Sequence, residues 1–393
     1  MTSSIQQLGP ALEIDARLTE IERSLNLLLN TTPVNSAEAW TDFERGDFGA
    51  APALRLRPLE FDPDLVRRDL YNLEIENVTD PALHTLFRAK RDELARQITA
   101  LEDRDTSRFV YGSLQLYGEV APALVSAAEE LLQIIPDQPA STSSVTAGAF
   151  AQAAREEFER YRAAYPDFPT AVEVRDDVSE LMVSFGRLLI PESAAIRKDR
   201  VEPLLHHEVG THVVTYQNGA RQPLQLLTIG LPGYDETQEG LAVLAEYLTG
   251  GLDPRRLRVL AARVVAIDNL LDGAGFLEIF ESLRATYRIP TKTAWSVASR
   301  VIVGGGSVKD AIYLRGIARI LETLAEGSSL DVLFVGKLAV DHIPLIQDLL
   351  DREVLIPPWV RPRWLDVPGA QERLDRLRAG ASVTDLYEGE VAA

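Results

Sequence analysis

The chain has 393 residues, of which 46% are hydrophobic and 25% are charged, a composition typical of a folded globular protein. Its 59 acidic and 40 basic residues give a formal charge of −19, which argues against nucleic acid as a partner because binding to phosphates requires clustered Lys and Arg. The absence of cysteine excludes disulfides, thiolate catalysis and Cys-containing metal sites, so the ligands of any metal must be His, Asp or Glu.

The first third of the chain has the apolar periodicity of helices, beginning with a stripe from Leu18 to Leu29. Residues 31–63 are rich in Pro and Gly and predict an extended segment with at most one strand. Phe109–Pro136 predicts a further long helical region. The composition then changes to Gln, Pro, Ser and Thr over residues 138–144, which indicates a domain boundary. We therefore predict a helical N-terminal region over residues 1–137, packed on the rest of the protein.

A second domain is predicted over residues 148–393. It begins with a helix over Ala149–Tyr165, followed by two strand-like runs, Ala171–Arg175 and Glu180–Pro191, which indicate a small sheet. From Asp199 onward the pattern is helical again. The predicted fold class is therefore α+β and predominantly helical.

The start of the sequence and its hydropathy indicate where in the cell the protein is expected. The first ten residues contain neither the basic nor the apolar region of a secretion signal. No apolar run approaches the roughly 18 residues that a membrane span requires. We expect a cytoplasmic protein without a membrane partner, and the sequence gives no indication of the oligomeric state.

Three of the five histidines, His206, His207 and His212, lie within seven residues of one predicted apolar helix. In His207-Glu208-x-x-x-His212 the acid follows the first histidine directly, as in the zincin motif H-E-x-x-H, where two imidazoles bind zinc and the Glu is a general base. On a regular α-helix residues five apart would lie about 140° apart. A π-bulge, for which Gly210 is well placed, would bring both rings to one side. The alternative is that these histidines are hydrogen-bonded core residues, which is our interpretation of His206.

A zinc site for hydrolysis needs three protein ligands and one open position. The best third ligand is Glu239, on a predicted helix that has Asp235 as its N-cap and Gln238 as the capping-box partner. Glu246 lies seven residues later on the same helix face. It is either a group that orients an imidazole or a surface residue.

The H-E-x-x-x-H motif followed by Gln238-Glu239-Gly240-Leu241-Ala242 resembles the bacterial QEGLA-motif proteins, which are similar to the eukaryotic tyrosine carboxypeptidases that remove the C-terminal Tyr of α-tubulin. The resemblance extends, more loosely, over almost the whole chain. It implies a gluzincin-like zincin fold in which the two motif histidines and Glu239 bind zinc and Glu208 is catalytic. The sequence departs from the tubulin enzymes at Arg300–Gly306, where their longer insertion is missing.

The resemblance implies a hydrolase, a zinc metallocarboxypeptidase that cleaves a peptide bond at or near the C-terminus of a protein or peptide. Such an enzyme needs a cationic or phenolic partner for the substrate carboxylate, and the candidates are Arg300, Lys309 and Tyr313. Lys309 and Tyr313 are one helical turn apart in the predicted helix. Two alternatives remain open at this point. One is a non-catalytic zinc-containing regulatory or binding protein, and the other is an exopeptidase acting at the amino end, resembling dipeptidyl peptidase III.

Overall fold

We describe a computed structural model of the chain over residues 9–137, 143–169, 171–178, 180–303 and 307–387. Most of these residues are helical. The α-helices are α1 (Gly9–Leu25), α2 (Leu27–Thr31), α3 (Ser36–Arg45), α4 (Pro63–Tyr71), α5 (Pro81–Asp103), α6 (Phe109–Tyr117), α7 (Pro122–Ile134), α8 (Ala147–Ala164), α9 (Val201–His207), α10 (Val214–Ala220), α11 (Leu226–Ile229), α12 (Tyr234–Leu248), α13 (Pro254–Leu271), α14 (Phe276–Glu281), α15 (Thr291–Ile302), α16 (Ile312–Ala325), α17 (Ile343–Asp351) and α18 (Ala370–Arg378).

Shorter helical segments connect these helices. Two segments have π geometry, Glu208–Val213 and Ser282–Thr286. Single 3₁₀ turns occur at Ile75–Asn77, Lys198–Arg200, Ser307–Ala311, Asp331–Phe334, Val340–His342, Arg363–Leu365 and Thr384–Leu386.

Short strands in the described part of the chain form two small sheets. In one sheet β1 (Ser144–Thr146) pairs antiparallel with β5 (Ala195–Arg197). In the other, β4 (Arg187–Pro191) lies between β2 (Val172–Arg175), which is parallel to it, and β3 (Met182–Ser184), which is antiparallel. The prediction of a mainly helical α+β fold with a small sheet is confirmed.

The predicted strand Glu180–Pro191 is in fact a hairpin of β3 and β4. Phe185 and Gly186 form its turn, and both have positive φ angles, 47° and 72°. Two consecutive residues with positive φ give a turn whose twist matches that of the paired strands. In the described part of the chain β3 lies at the edge of this sheet, with β4 as its neighbouring strand.

The chain divides into two compact units that are each discontinuous in sequence. The first contains Met1–Ala16, Gln138–Asp253 and Gly316–Leu386, and the second contains Arg17–Asp137, Pro254–Arg315 and Tyr387–Ala393. Most of the stretch that indicates a domain boundary, residues 138–142, lies outside the described residues. The division into 1–137 and 148–393 stays a prediction.

The core of the first unit surrounds α8. One face of α8 packs with β4 and with the segment that carries the histidine motif. The buried side chains of this cluster include Phe150, Phe158, Tyr161, Phe168, Leu188, Ile190, Val209, Val213 and Val214. Burial of this much apolar surface holds the histidine segment against a fixed support.

In the second unit, α3 occupies part of the stretch that we predict to be extended. Phe43 on α3 is buried against Phe276 and Phe280, with ring centroids 5.4 Å and 5.0 Å apart. The extended prediction is wrong for Ser36–Arg45 because contacts with residues more than 200 positions away stabilise this helix. Local Pro and Gly content carries no information about such contacts.

The second unit also encloses a charged group. Lys90 on α5 is completely buried and pairs with Glu22 and with Glu93, whose Oε2 is 2.7 Å from the ammonium. A buried ammonium is tolerated only where such partners compensate for its lost hydration.

Within the described ranges no helix combines the length and apolar composition needed to cross a bilayer.

Candidate metal centre

The helix that carries the histidine motif changes from α to π geometry inside the motif. His207 is the last residue of α9, and Glu208–Val213 is π-helical and leads into α10. Hydrogen bonds in a π-helix run from residue i to i+5, so residues five apart return to the same side. The ring centroids of His207 and His212 are 5.1 Å apart. The prediction of a π-bulge is confirmed.

Gly210 lies in the middle of the π segment, where two large side chains approach the backbone. A Cβ at this position would be 2.8 Å from Cδ1 of Trp364 and 3.5 Å from the hydroxyl of Tyr161. The indole N–H of Trp364 donates to the carbonyl of Gly210 at 3.1 Å, and the hydroxyl of Thr211 donates to the carbonyl of His206 at 3.1 Å. Only glycine leaves room for this close approach, and side-chain donors satisfy carbonyls of the widened turn.

The helix that carries the candidate third ligand, α12, begins differently from the prediction. Its N-cap is Gly233, with a φ of 70°, so Asp235 lies within the first turn and the predicted capping box is wrong. Gln238 points instead toward the histidine segment. Its Oε1 accepts a hydrogen bond from the Thr215 hydroxyl at 2.6 Å and lies 3.4 Å from Nδ1 of His212. Gln238 therefore connects α12 to the second motif histidine.

Three potential ligand atoms converge between these helices. Oε2 of Glu239 lies 3.7 Å from Nε2 of His207 and 4.0 Å from Nε2 of His212. The three residues form a group whose ligand atoms all lie within 4.8 Å of one another. In the described structure Glu239 Oε2 is buried and has no hydrogen-bond partner. An unsatisfied buried carboxylate oxygen is costly, and a cation shared with the two imidazoles would remove that cost.

These residues fit zinc better than they fit magnesium or calcium. Two imidazoles and one carboxylate are the donor set of many catalytic zinc sites, with ligand atoms about 2.0–2.2 Å from the ion. Magnesium and calcium prefer oxygen donors only. The chemistry of the donor set therefore supports zinc.

Glu246 fixes the orientation of the first histidine. Its Oε1 lies 2.8 Å from Nδ1 of His207, and its Oε2 accepts a hydrogen bond from Nη2 of Arg200 at 2.7 Å. Arg200 is held in turn by a 2.8 Å bond from Nη1 to the carbonyl of Gly251. The Glu246 side chain is completely buried, so its interpretation as a surface residue is wrong. With Nδ1 bonded to this carboxylate, Nε2 of His207 faces Glu239.

The two imidazoles have different electrostatic environments. Burial lowers the pKa of His207, but the hydrogen bond with Glu246 and the charges of nearby glutamates outweigh burial, so the net pKa is raised. Burial lowers the pKa of His212 to about 4; the charge of Glu239 opposes this change, while the charge of Lys337 adds to it. His212 is therefore neutral at pH 7, which is the protonation state that binds metals.

Glu208 lies beside the three converging residues. It is buried, and its Oε1 is 3.9 Å from Nε2 of His207. This separation exceeds a hydrogen bond. The Glu208 carboxylate thus lies near the three candidate ligands without a hydrogen bond to His207.

The predicted substrate-binding residues all lie in the second unit. Arg300 donates to the carboxylate of Asp310 through Nε at 2.6 Å and Nη2 at 2.9 Å. The Lys309 ammonium lies 5.6 Å from the centroid of the Tyr117 ring, and the Tyr313 ring faces two arginine guanidinium groups. The neighbouring Gly304–Gly306 lie outside the described residues. The structure places these side chains in contacts within their own unit, and their role toward substrate stays a prediction.

The sequence interpretation missed several residues at the centre. Gln238 lies in the motif that carries the family resemblance, which was the signal available for it, whereas Arg200 precedes the histidine motif by seven residues. Lys337, whose charge acts on His212, follows no motif and is more than 100 residues from His207 and His212. Only the folded structure brings it near them.

We expect Glu246→Gln to weaken zinc binding about 10- to 100-fold, because groups that orient a ligand contribute to affinity on this scale. The amide keeps the size of the side chain but removes the charge shared by His207 and Arg200. Competition with a fluorescent zinc chelator measures the change. Glu236→Gln is the matched control because Glu236 is on the same helix and pairs with Arg319 at 3.6 Å. Equal affinities in both variants would contradict the role of Glu246.

Two adjacent imidazoles, a carboxylate with one buried oxygen near both of them and a neighbouring glutamate define a candidate metal centre built on an H-E-x-x-x-H helix. The model of one protein family, described as microtubule-associated tyrosine carboxypeptidase, matches residues 41–382 of the chain. The chain belongs to this family, as the sequence resemblance predicts. Comparisons with curated protein sequences and with solved structures found no match.

Proposed function

We propose that the protein is a zinc-dependent metallocarboxypeptidase with a gluzincin-like zincin fold. The observation that carries the proposal is the buried Oε2 of Glu239, which lacks a hydrogen-bond partner in the described structure and faces Nε2 of His207 and His212. Membership of a family described as tyrosine carboxypeptidases supports hydrolysis at a C-terminus. The substrate is accordingly the C-terminus of a protein or peptide.

The residues of the centre have distinct roles in this proposal. His207, His212 and Glu239 would hold the metal, and Glu246 keeps Nε2 of His207 directed toward Glu239. Zinc supplies Lewis-acid polarisation of the scissile carbonyl and lowers the pKa of a water toward neutrality. Glu208 takes the proton from the attacking water and transfers it to the leaving amine.

The edge strand β3 supplies a surface for the substrate backbone. It belongs to the first unit, as the histidine segment does, and packs near that segment. Among the described residues β4 alone pairs with β3 as a strand. An extended peptide can pair with an exposed strand edge through main-chain hydrogen bonds. This position of β3 supports an extended peptide as substrate.

We test the proposal with metal analysis of the purified protein, followed by mass spectrometry of a peptide library with varied C-terminal residues. We expect about one zinc ion per chain, as in catalytic sites with three protein ligands. The expected products lack residues at the C-terminus only. Protein treated with a chelator is the control, and readdition of zinc should restore cleavage. Products shortened at the amino end would favour the alternative exopeptidase.

A further inference from the structure

Lys337 has a fixed backbone in the same unit as the candidate metal centre. Its N–H donates to the carbonyl of Leu227 at 2.8 Å, and its carbonyl accepts from the N–H of Leu231 at 2.9 Å. Lys337 itself is half-buried. A side chain that starts from a doubly anchored backbone can present its charge at a defined place.

Two tyrosine rings flank the ammonium group of Lys337. Its Nζ lies 5.3 Å from the ring centroid of Tyr234 and 5.9 Å from that of Tyr216. These distances are within the range of cation–π attraction. A Cβ at Gly230 would be 2.1 Å from the Tyr234 ring, and one at Gly186 would be 2.5 Å from the Tyr216 ring. Each ring therefore occupies space that a side chain at its glycine would fill, and both glycines also have positive φ.

Each of these tyrosines lies one helical turn from a residue of the centre. Tyr216 follows His212 by four residues, and Tyr234 precedes Gln238 by four. Residues four apart on a helix share a face, with their Cβ atoms about 5–6 Å apart. Gln238 itself lies 3.4 Å from His212. Two independent helices thus place each tyrosine about one turn from a residue of the centre, His212 or Gln238, and the ammonium of Lys337 lies beside both rings.

We propose that Lys337 binds the terminal carboxylate of the peptide substrate, with Tyr216 and Tyr234 holding its ammonium in place. The inference rests on the proposed function and names the group that makes the centre act at a C-terminus. In an extended chain each residue spans about 3.3–3.6 Å, so the carboxylate of the last residue lies within one residue of the scissile carbonyl. The anchoring cation must therefore belong to the immediate surroundings of the centre, as Lys337 does through its contacts with Tyr216 and Tyr234.

The charge of Lys337 also separates the two exopeptidase alternatives. A terminal carboxylate accepts charge-assisted hydrogen bonds from an ammonium. An enzyme that acts at the amino end must instead bind the substrate's own positive α-amine, which a lysine repels. The position of Lys337 therefore favours cleavage at the C-terminus.

The test compares peptides of one sequence that end in a free carboxylate or in an amide. Their binding is measured by calorimetry on the zinc-supplemented Glu208→Gln protein, with and without Lys337→Met. We expect the change to methionine to weaken binding of the free acid by about 10- to 100-fold, the usual contribution of a hydrogen bond to a charged group. Binding of the amide should change less than twofold. Lys198→Met, at an exposed lysine of the same unit, should leave both peptides unaffected.

Two further measurements distinguish failure of this inference from misfolding of a variant and from failure of the proposed function. Lys337→Arg keeps a positive charge and should retain the preference for the free acid, and thermal unfolding shows whether each variant is folded. The inference is overturned if folded Lys337→Met protein keeps the preference, or if the arginine variant loses it as fully as the methionine variant. Absence of zinc and of peptide cleavage in the unmodified protein contradicts the proposed function, whereas a Lys337-dependent acid preference still supports the anchor.

Discussion

Glu208→Gln should lower kcat/KM for peptide hydrolysis by about 10²- to 10⁴-fold, the usual contribution of general acid–base catalysis. The amide has nearly the shape of the carboxylate but cannot accept the proton of the attacking water. Zinc content should stay unchanged, because Oε1 of Glu208 is 3.9 Å from the nearest imidazole nitrogen and the three candidate ligands are untouched. Steady-state kinetics and metal analysis of the same preparation measure both quantities.

The matched control for this variant is Glu202→Gln. Glu202 belongs to the same helical segment, but its side chain is 68% exposed, so its replacement should leave kcat/KM unchanged. If the Glu208 variant is as active as the unmodified protein, the glutamate is not the base. If the biological effect of the protein also survives in that variant, the non-catalytic regulator becomes the better interpretation.

His212→Ala should remove one of three proposed ligands and abolish stoichiometric zinc binding. A site with three protein ligands keeps its ion only while all three contribute, and an alanine at this position leaves one imidazole and one carboxylate. We expect less than about a tenth of the zinc found in the unmodified protein and activity equal to that of the metal-free protein. Metal analysis after dialysis against buffer with a fixed free zinc concentration measures the effect.

His206→Gln is the control for the loss of a buried imidazole from this helix. His206 is buried next to His207, but its Nε2 lies 3.7 Å from Glu202 rather than near Glu239. Zinc content should therefore stay near one ion per chain. Equal loss in both variants would show that the helix, and not a specific ligand, had been disturbed. Full retention in His212→Ala would exclude this residue as a ligand.

The sequence could predict that the candidate ligands come together, because the ligand chemistry depends on residue type and on the spacing of the residues. Without cysteine, only His, Asp and Glu were available as ligands, and the five-residue separation of His207 and His212 required a π-bulge in any helix that brought them together. The structure contains that bulge and brings Glu239 to the same place. The assignment of these residues to zinc remains a proposal that the two variants above test.

What the sequence could not predict depends on contacts between distant segments. The α3 helix forms where Pro and Gly content favoured an extended chain, because Phe43 finds its partners in α14. Gln238 has the right spacing for a capping box, yet the approach of α10 gives its side chain Thr215 as a partner. Lys337 reaches the centre through backbone hydrogen bonds to the segment before α12. The hydrophobic periodicity of a short stretch of sequence contains no information about these contacts between distant residues.

The π segment also determines how this motif can change over time. Removing a single residue between His207 and His212 would restore a regular spiral and leave two histidines four apart, as in H-E-x-x-H. Because the π segment accommodates the extra residue locally, the same deletion would leave the later side chains of the helix on the faces they occupy now. Asn218 would then keep its paired hydrogen bonds with the backbone of Val360, at 2.9 Å and 2.8 Å. The longer and shorter motifs are therefore one deletion apart, and the remainder of the helix need not repack for the change to occur.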